Sequence, residues 1–185
     1  MLPEISLHIL DIAQNSIKAD ASLINIDIQA DTAGDLLRVQ IKDNGSGMSE
    51  EQQQRAVDPF YTTRTTRKIG LGLSLLKFAA ECTGGSFELR SQQGIGTTVA
   101  AIFKLSSIDR MPLGDMASTV HLLATTNPRL DFVYHIQMDG QGFTLDTREI
   151  REIMGNIPMN APEVSEFIRR YLTENQLETD PRKIL

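Results

Sequence analysis

The chain has 185 residues and a net charge of −6, a length that suits one domain or one domain with an extension. Cys82 is the one cysteine, which excludes an intrachain disulfide, and the acidic balance argues against a nucleic-acid-binding surface. The sequence shows no basic N-terminal segment and no apolar run of about 20 residues, so we expect a cytoplasmic protein without a signal peptide or membrane insertion.

The first 105 residues alternate between helical and strand patterns. Their periodicity predicts, in chain order, a helix over residues 4–19, strands over 23–30 and 36–42, helices over 49–57 and 71–83, and strands over 86–90 and 97–105. Ser49 followed by Gln52 is a capping box that marks the start of the short helix. This order predicts an α+β fold in which one mainly antiparallel sheet carries helices on one face.

The pattern changes after Leu105, where a polar stretch with a proline is typical of a linker. Beyond the linker, periodicity predicts a helix over residues 114–125, strands over 131–137 and 142–145, and helices over 147–154 and 162–175. We therefore predict two parts, residues 1–105 and a C-terminal α+β extension of residues 106–185. The apolar faces of the extension favour docking onto the first part or onto a partner.

Four polar residues of the first helix, His8, Asp11, Asn15 and Lys18, are spaced so that they share one face. A solvated polar surface is one interpretation of this face. The other is a site, because an asparagine oxygen is a hard neutral ligand that suits Mg²⁺ and an aspartate one turn earlier can position water.

The segment Asp43-Asn44-Gly45-Ser46-Gly47-Met48 directly follows the second predicted strand. A tight turn at its Asn-Gly pair is one interpretation. The other is a ligand pocket, in which the two glycines let the backbone approach a flat ligand and the Asp43 carboxylate accepts a hydrogen bond from the exocyclic amine of adenine.

The stretch from Asp58 to Leu73 is a basic, hydroxyl-rich loop that leads through glycines into a helix. A helix N-terminus after glycines suits an anion, and Arg64, Arg67 and Lys68 concentrate positive charge nearby. A solvated surface loop remains the alternative. The later Gly96-Thr97-Thr98 also fits an ordinary hairpin turn.

The order and spacing of these segments resemble the ATP-binding domain of the GHKL superfamily, over about residues 4 to 105. The matching motifs are Asn15-x-x-Lys18, Asp43-x-Gly45-x-Gly47, Asp58-Pro-Phe60-Tyr, Gly70-Leu-Gly72-Leu and Gly96-Thr-Thr98. Within this superfamily, the stretch from Asp58 to Phe103 is most similar to the catalytic domain of histidine kinases. The resemblance implies a Bergerat fold, in which ATP and Mg²⁺ lie between a mixed sheet and three helices under a lid between Phe60 and Gly70.

The resemblance also implies roles for individual residues. Asn15 would bind Mg²⁺ and Asp43 would accept the hydrogen bond of the adenine amine. Asp11 is the candidate general base, at the place where the hydrolysing branches of the superfamily carry a glutamate, one methylene longer. Lys18 would contact phosphate and Thr98 would support the adenine. The further nucleotide-contacting candidates are Gly45, Gly47, Met48, Phe60, Arg64, Arg67, Lys68, Gly70, Leu71, Gly72 and Leu73.

Histidine kinases carry a phosphoacceptor domain ahead of the catalytic domain, whereas here the pattern begins within the first ten residues, so we expect none. The predicted function is transfer of a phosphoryl group from ATP to an unidentified partner protein in trans. The alternative is a module that hydrolyses or senses ATP and regulates a partner without phosphotransfer. The sequence also leaves open whether the chain forms a homodimer.

Three residues outside these motifs are predicted to be structural. Cys82 is expected to be a small buried hydrophobe on its apolar helix. His121 and His135 have no cysteine or nearby histidine at metal-ligand spacing, so both are expected to be structural or exposed.

Overall fold

The computed structural model describes residues 3–58, 71–155 and 157–178. The helices are α1 (Ile5–Lys18), α2 (Glu50–Ala56), α3 (Leu71–Cys82), α4 (Met116–Thr126), α5 (Thr147–Met154) and α6 (Pro162–Glu178). The strands are β1 (Leu23–Asp31), β2 (Leu36–Asp43), β3 (Ser86–Gln92), β4 (Gly96–Lys104), β5 (Asp131–Met138) and β6 (Gln141–Asp146). Each element predicted from periodicity is present, with ends displaced by only a few residues.

The six strands form one mixed sheet in the order β3-β4-β2-β1-β5-β6. Neighbouring strands are antiparallel except β1 and β5, which are parallel. The parallel pair aligns Ile26 with Tyr134 and Asp27 with His135. The predicted α+β fold with a mixed sheet is therefore confirmed.

The sheet buries one face and leaves the other largely open. On β1, Ile24, Ile26 and Ile28 are at most 1% exposed, whereas the residues between them are polar and half-buried. Alternating side chains of a strand point to opposite faces, so the helices cover the isoleucine side. From α1, Ile5 and Ile9 reach this core with no exposed surface.

The extension after residue 105 continues the same sheet. Its first strand, β5, pairs with β1, and the segment leading to α4 binds the start of α1. There Ile5 N donates to Pro112 O (3.0 Å) and Ser6 N donates to Leu113 O (2.8 Å). The two parts predicted from the sequence thus share one hydrophobic core and one sheet.

Two residues lie elsewhere than the sequence suggested. Cys82 is exposed, because it lies in the last turn of α3, one turn beyond the 53% exposed Phe78. His8 is fully buried, since its position three residues after Ile5 and four before Ile12 places it beside the apolar stripe of α1.

The two histidines of the extension make local contacts. Nε2 of His121 lies 2.9 Å from Ser165 Oγ, and Nδ1 of His135 lies 2.6 Å from Asp27 Oδ1 across the parallel strand pair. These contacts agree with the structural role predicted for both. Over the described residues, no helix combines the length and the apolar character needed to cross a membrane.

Candidate functional site

A cavity of about 460 Å³ opens between α1, α2, the start of α3 and the adjoining ends of β2 and β4. Six of the residues singled out by the sequence line it: Asn15, Asp43, Gly47, Met48, Gly72 and Leu73. The other lining residues are the apolar Ile12, Ala19, Ala56 and Val99 and the polar or charged Ser16, Gln52, Arg55 and Thr97. A cleft that combines apolar walls with a few fixed polar groups is the usual form of a small-molecule site.

Asp43 is the buried polar centre of the cavity, with 7% of its surface exposed. Its Oδ1 accepts hydrogen bonds from the backbone N–H groups of Gly45 (2.9 Å) and Thr97 (3.2 Å). Its Oδ2 accepts a bond from Ser16 Oγ at 2.6 Å. Three donors from separate segments, Ser16 of α1, Gly45 of the loop and Thr97 of β4, therefore hold the carboxylate in one orientation.

The backbone after Asp43 passes so close to its neighbours that side chains are excluded. A Cβ on Gly45 would lie 2.7 Å from Ala19 O, and one on Gly47 would lie 2.0 Å from Gln92 O. Gly47 also has a φ of +65°, which favours glycine. The close approach shapes the floor of the cavity, and the segment leads from β2 into α2 rather than closing a two-strand hairpin.

Asp11 lies at the edge of the cavity, against the first turn of α3. A Cβ on Gly72 would lie only 1.8 Å from Asp11 Oδ2, so the carboxylate occupies the space that the missing side chain leaves. Asn15, one turn further along α1, lines the cavity itself. The structure thus aligns Asp11 and Asn15 along one side of the cleft.

Helix α2 supplies a wall that the sequence interpretation missed, through Gln52, Arg55 and Ala56. The predicted capping box is present, since Gln52 N donates to Ser49 Oγ (3.2 Å) and Ser49 N donates to Gln52 Oε1 (2.9 Å). The box revealed where α2 begins, but nothing in the local pattern indicated which side faces a cavity. Arg55 also pairs with Glu51.

Four candidates whose side chains the structure describes are not part of the cavity lining: Asp11 and Gly45, which adjoin it, and Lys18 and Thr98. Thr98 is replaced there by Thr97, because β4 pairs Thr97 with Asp43 and successive side chains alternate between the faces of the sheet. The lining therefore includes Thr97 and not Thr98, and the supporting role of Thr98 stays a prediction. Lys18 is exposed in the last turn of α1.

Several predictions fall on residues that the structure does not describe. Phe60, Arg64, Arg67, Lys68 and Gly70 lie outside the described residues, as does the predicted lid between residues 60 and 70. Leu71 is the first residue of α3, and its side chain lies outside the described part of the structure.

Residues 4–107 match the family model of the histidine kinase-, DNA gyrase B- and HSP90-like ATPases, which is more than half of the chain. The chain therefore belongs to this family, and its matched part is an ATP-binding domain of histidine-kinase type.

Curated relatives match over the same region. The chain is similar to the non-motile and phage-resistance protein of Caulobacter vibrioides (33% identical over 101 residues, 50% of this chain and 12% of that protein). It is also similar to the alginate biosynthesis sensor protein KinB of Pseudomonas aeruginosa (33% over 87 residues, 46% and 15%) and the sensor histidine kinase ZraS of Escherichia coli (26% over 106 residues, 57% and 23%). The matches thus span less than a quarter of the length of each relative.

Among solved structures, the Aquifex aeolicus MutL ATPase domain complexed with ADP has a similar fold, with a TM-score of 0.50 and 14% identity. The likeness covers 92% of this chain and 88% of that chain. It therefore extends beyond residue 107 into the strands and helices that follow the family match.

Proposed function

We propose that the chain binds Mg-ATP in the cavity around Asp43 and transfers the γ-phosphoryl group to a partner protein in trans. The observation that carries the nucleotide part is the buried Asp43 carboxylate, held by Ser16, Gly45 and Thr97 at the centre of the cavity.

Asp43 suits adenine for a chemical reason. An ionised carboxylate only accepts hydrogen bonds and offers about four lone-pair sites, of which the protein uses three. The exocyclic amine of adenine can donate to the remaining site. Guanine presents a carbonyl oxygen at the same place. Two hydrogen-bond acceptors would then face each other without a donor, so the site favours ATP over GTP.

The residues present also fit a magnesium ion that arrives with the nucleotide. Within the described ranges, no three carboxylate, histidine or cysteine groups lie close enough to hold a metal by themselves. Asn15 offers one neutral oxygen ligand on the cavity wall, and Mg²⁺ prefers few protein ligands together with water and phosphate oxygens. Bound Mg²⁺ would neutralise phosphate charge, while Asn15 positions it.

A binding experiment tests the nucleotide part. Isothermal titration of the full chain with ATP should give an affinity that Asp43→Ala lowers by about a hundredfold, the loss expected for a buried charge-assisted hydrogen bond of roughly 2–3 kcal/mol. Circular dichroism of the variant should match the wild type. Equal ATP affinity in a folded Asp43→Ala variant would place the nucleotide elsewhere.

Phosphotransfer is supported by the family and by relatives that are named sensor proteins or kinases. The reaction breaks the bond between the γ-phosphorus and its bridging oxygen, forms one to a nucleophilic atom of the partner, and releases ADP. With γ-labelled ATP and lysate of the source organism, one protein should acquire the label. Label at the same level with Asn15→Ala would contradict the proposal.

The second candidate is an ATP-hydrolysing switch that changes affinity for its partner without phosphotransfer. It is favoured by the position of Asp11, whose carboxylate lies against Gly72 at the cavity edge, where it could orient water. Purified chain should then hydrolyse ATP slowly with Mg²⁺, and Asp11→Asn should abolish turnover while ATP still binds. Transfer to a partner without hydrolysis would favour the first candidate.

For either function we propose a signalling role in the cytoplasm, together with a protein partner whose identity is open. Pull-down from native lysate with and without ATP tests this part. A partner retained in only one of the two conditions supports both the contact and its dependence on nucleotide, because a ligand shifts an equilibrium only through differential affinity. The same proteins recovered in both conditions would contradict a nucleotide-dependent partner.

A further inference from the structure

Helix α2 forms one wall of the cavity but has no buried side chain of its own. A seven-residue helix without an apolar anchor is marginal in water, so its position depends on its polar contacts. Two of those contacts, both made by Gln53, join α2 to Ser91, a residue of the edge strand β3.

The side-chain amide of Gln53 bonds both backbone groups of Ser91. Ser91 N donates to Gln53 Oε1 (3.0 Å), and Gln53 Nε2 donates to Ser91 O (2.9 Å). Gln53 thus takes the place of a neighbouring strand at the outer edge of the sheet, because none of the described strands pairs with that side of β3.

The side chain of Ser91 extends the same connection toward the cavity. Its Oγ accepts a hydrogen bond from Met48 N (2.8 Å), directly before α2, and lies 2.8 Å from Thr97 Oγ1. Met48 and Thr97 both line the cavity. One residue of β3 therefore connects the loop before α2, the helix itself and the floor of the site.

We propose that Gln53 is a positioning residue for the nucleotide site, which fixes the α2 wall to β3 through its paired hydrogen bonds with Ser91. Without this link, Arg55 and Ala56 would no longer hold their places in the wall. The proposal rests on the proposed nucleotide site, and it predicts that nucleotide affinity depends on a residue that does not line the cavity.

The test compares Gln53→Met with Gln54→Met. Both replace a glutamine of α2 by an uncharged side chain of similar length, but Gln54 is exposed and serves as the control. In nucleotide-free protein, the Ser91 amide should exchange with solvent about tenfold faster in Gln53→Met, because its acceptor is lost. Exchange in Gln54→Met should match the wild type.

Titration with ATP provides the second readout. Affinity should fall about tenfold in Gln53→Met and stay within about twofold of the wild type in Gln54→Met. Ile168→Val, at a fully buried position of α6, controls for a general loss of stability. It should lower Tm about as much as Gln53→Met does, but should bind ATP with the affinity of the wild type.

The outcomes separate the two proposals. Unchanged Ser91 exchange or unchanged ATP affinity in Gln53→Met overturns the positioning role, and so does an equal affinity loss in Ile168→Val. If the wild type itself fails to bind ATP, the nucleotide proposal fails, whereas Ser91 exchange still decides whether Gln53 holds α2.

Discussion

At the scale of single residues, Gly72 and Asp11 share one space. A Cβ at Gly72 would lie 1.8 Å from Asp11 Oδ2 and 3.0 Å from its Cγ. We expect Gly72→Ala to force the carboxylate away; because this side chain can rotate and alanine is favoured over glycine in a helix by about 0.5–1 kcal/mol, the net destabilisation should stay at or below about 1 kcal/mol. Urea unfolding measures this change.

A double variant provides the control for this prediction. Asp11→Ala removes the obstructing carboxylate, so Gly72→Ala should cost far less in its presence, with a coupling of at least about 0.5 kcal/mol. Purely additive effects of the two substitutions would show that the carboxylate and the glycine do not compete for space.

Residue-level contacts also mark a limit of what the sequence could predict. Asp43 was identified because its motif is local, but Ser16, 27 residues away, was not identified as its hydrogen-bond partner. The motif named Thr98, whereas Thr97 lines the cavity, because the motif does not state which side of β4 faces the helices. Hydrogen bonds between distant segments depend on register, which a single sequence leaves unspecified.

At the scale of elements, β5 carries a buried hydroxyl that its packing does not satisfy. Tyr134 has no exposed surface, and within the described residues its OH has no hydrogen-bond partner. Its ring packs edge-on against Phe143 at 5.8 Å. A buried unpaired hydroxyl costs about 1–3 kcal/mol, so Tyr134→Phe should raise the stability measured in urea.

Tyr171 provides the matched control for that substitution. Its OH donates to Thr144 O at 3.1 Å, so Tyr171→Phe should be neutral or slightly destabilising. A decrease in stability for Tyr134→Phe would show that the buried hydroxyl has a partner, such as a water molecule.

The same burial has a consequence for pH. Burial raises the pKa of the Tyr134 phenol above its ordinary value of 10.0. Above that pH the unfolded chain loses the proton while the folded chain keeps it, so the folded state is progressively disfavoured. Unfolding measured between pH 9 and about 11 should therefore show a steeper alkaline loss in the wild type than in Tyr134→Phe.

Element boundaries were largely predictable, for identifiable reasons. The isoleucines of α1 and β1 repeat with clear periods, and Ser49 with Gln52 marks the start of α2. The order in which the strands pair within the sheet was harder to predict from the sequence. The hairpin of the extension was predicted, but its parallel pairing with β1 was not, because no local pattern specifies a partner strand about a hundred residues earlier.

At the scale of the whole molecule, the family match ends inside a continuous structure. Residues 4–107 hold the described residues of the cavity, yet β1 then lacks its neighbour β5, and α1 lacks the backbone bonds to Pro112 and Leu113. A chain ending at residue 107 would expose a sheet edge beside its apolar face. We expect it to self-associate and to lose a cooperative thermal transition.

Size-exclusion chromatography and circular dichroism measure these two properties. If the shortened chain cannot be purified, Phe132→Ala in the full chain is the second measurement. This buried β5 residue should cost about 3–5 kcal/mol, and its half-buried neighbour Val133→Ala much less. A monomeric shortened chain with the Tm of the full protein would show that residues 4–107 fold alone.

The parallel pairing of β1 with β5 also means that β1 is synthesised well before its partner strand. Asp27 and His135, which meet across this pair, are 108 residues apart. At typical translation rates of about 5–20 residues per second, β1 leaves the ribosome on the order of ten seconds before its partner exists. During that interval its free backbone edge is open to other nascent strands, so this chain is one for which a holding chaperone would improve the yield.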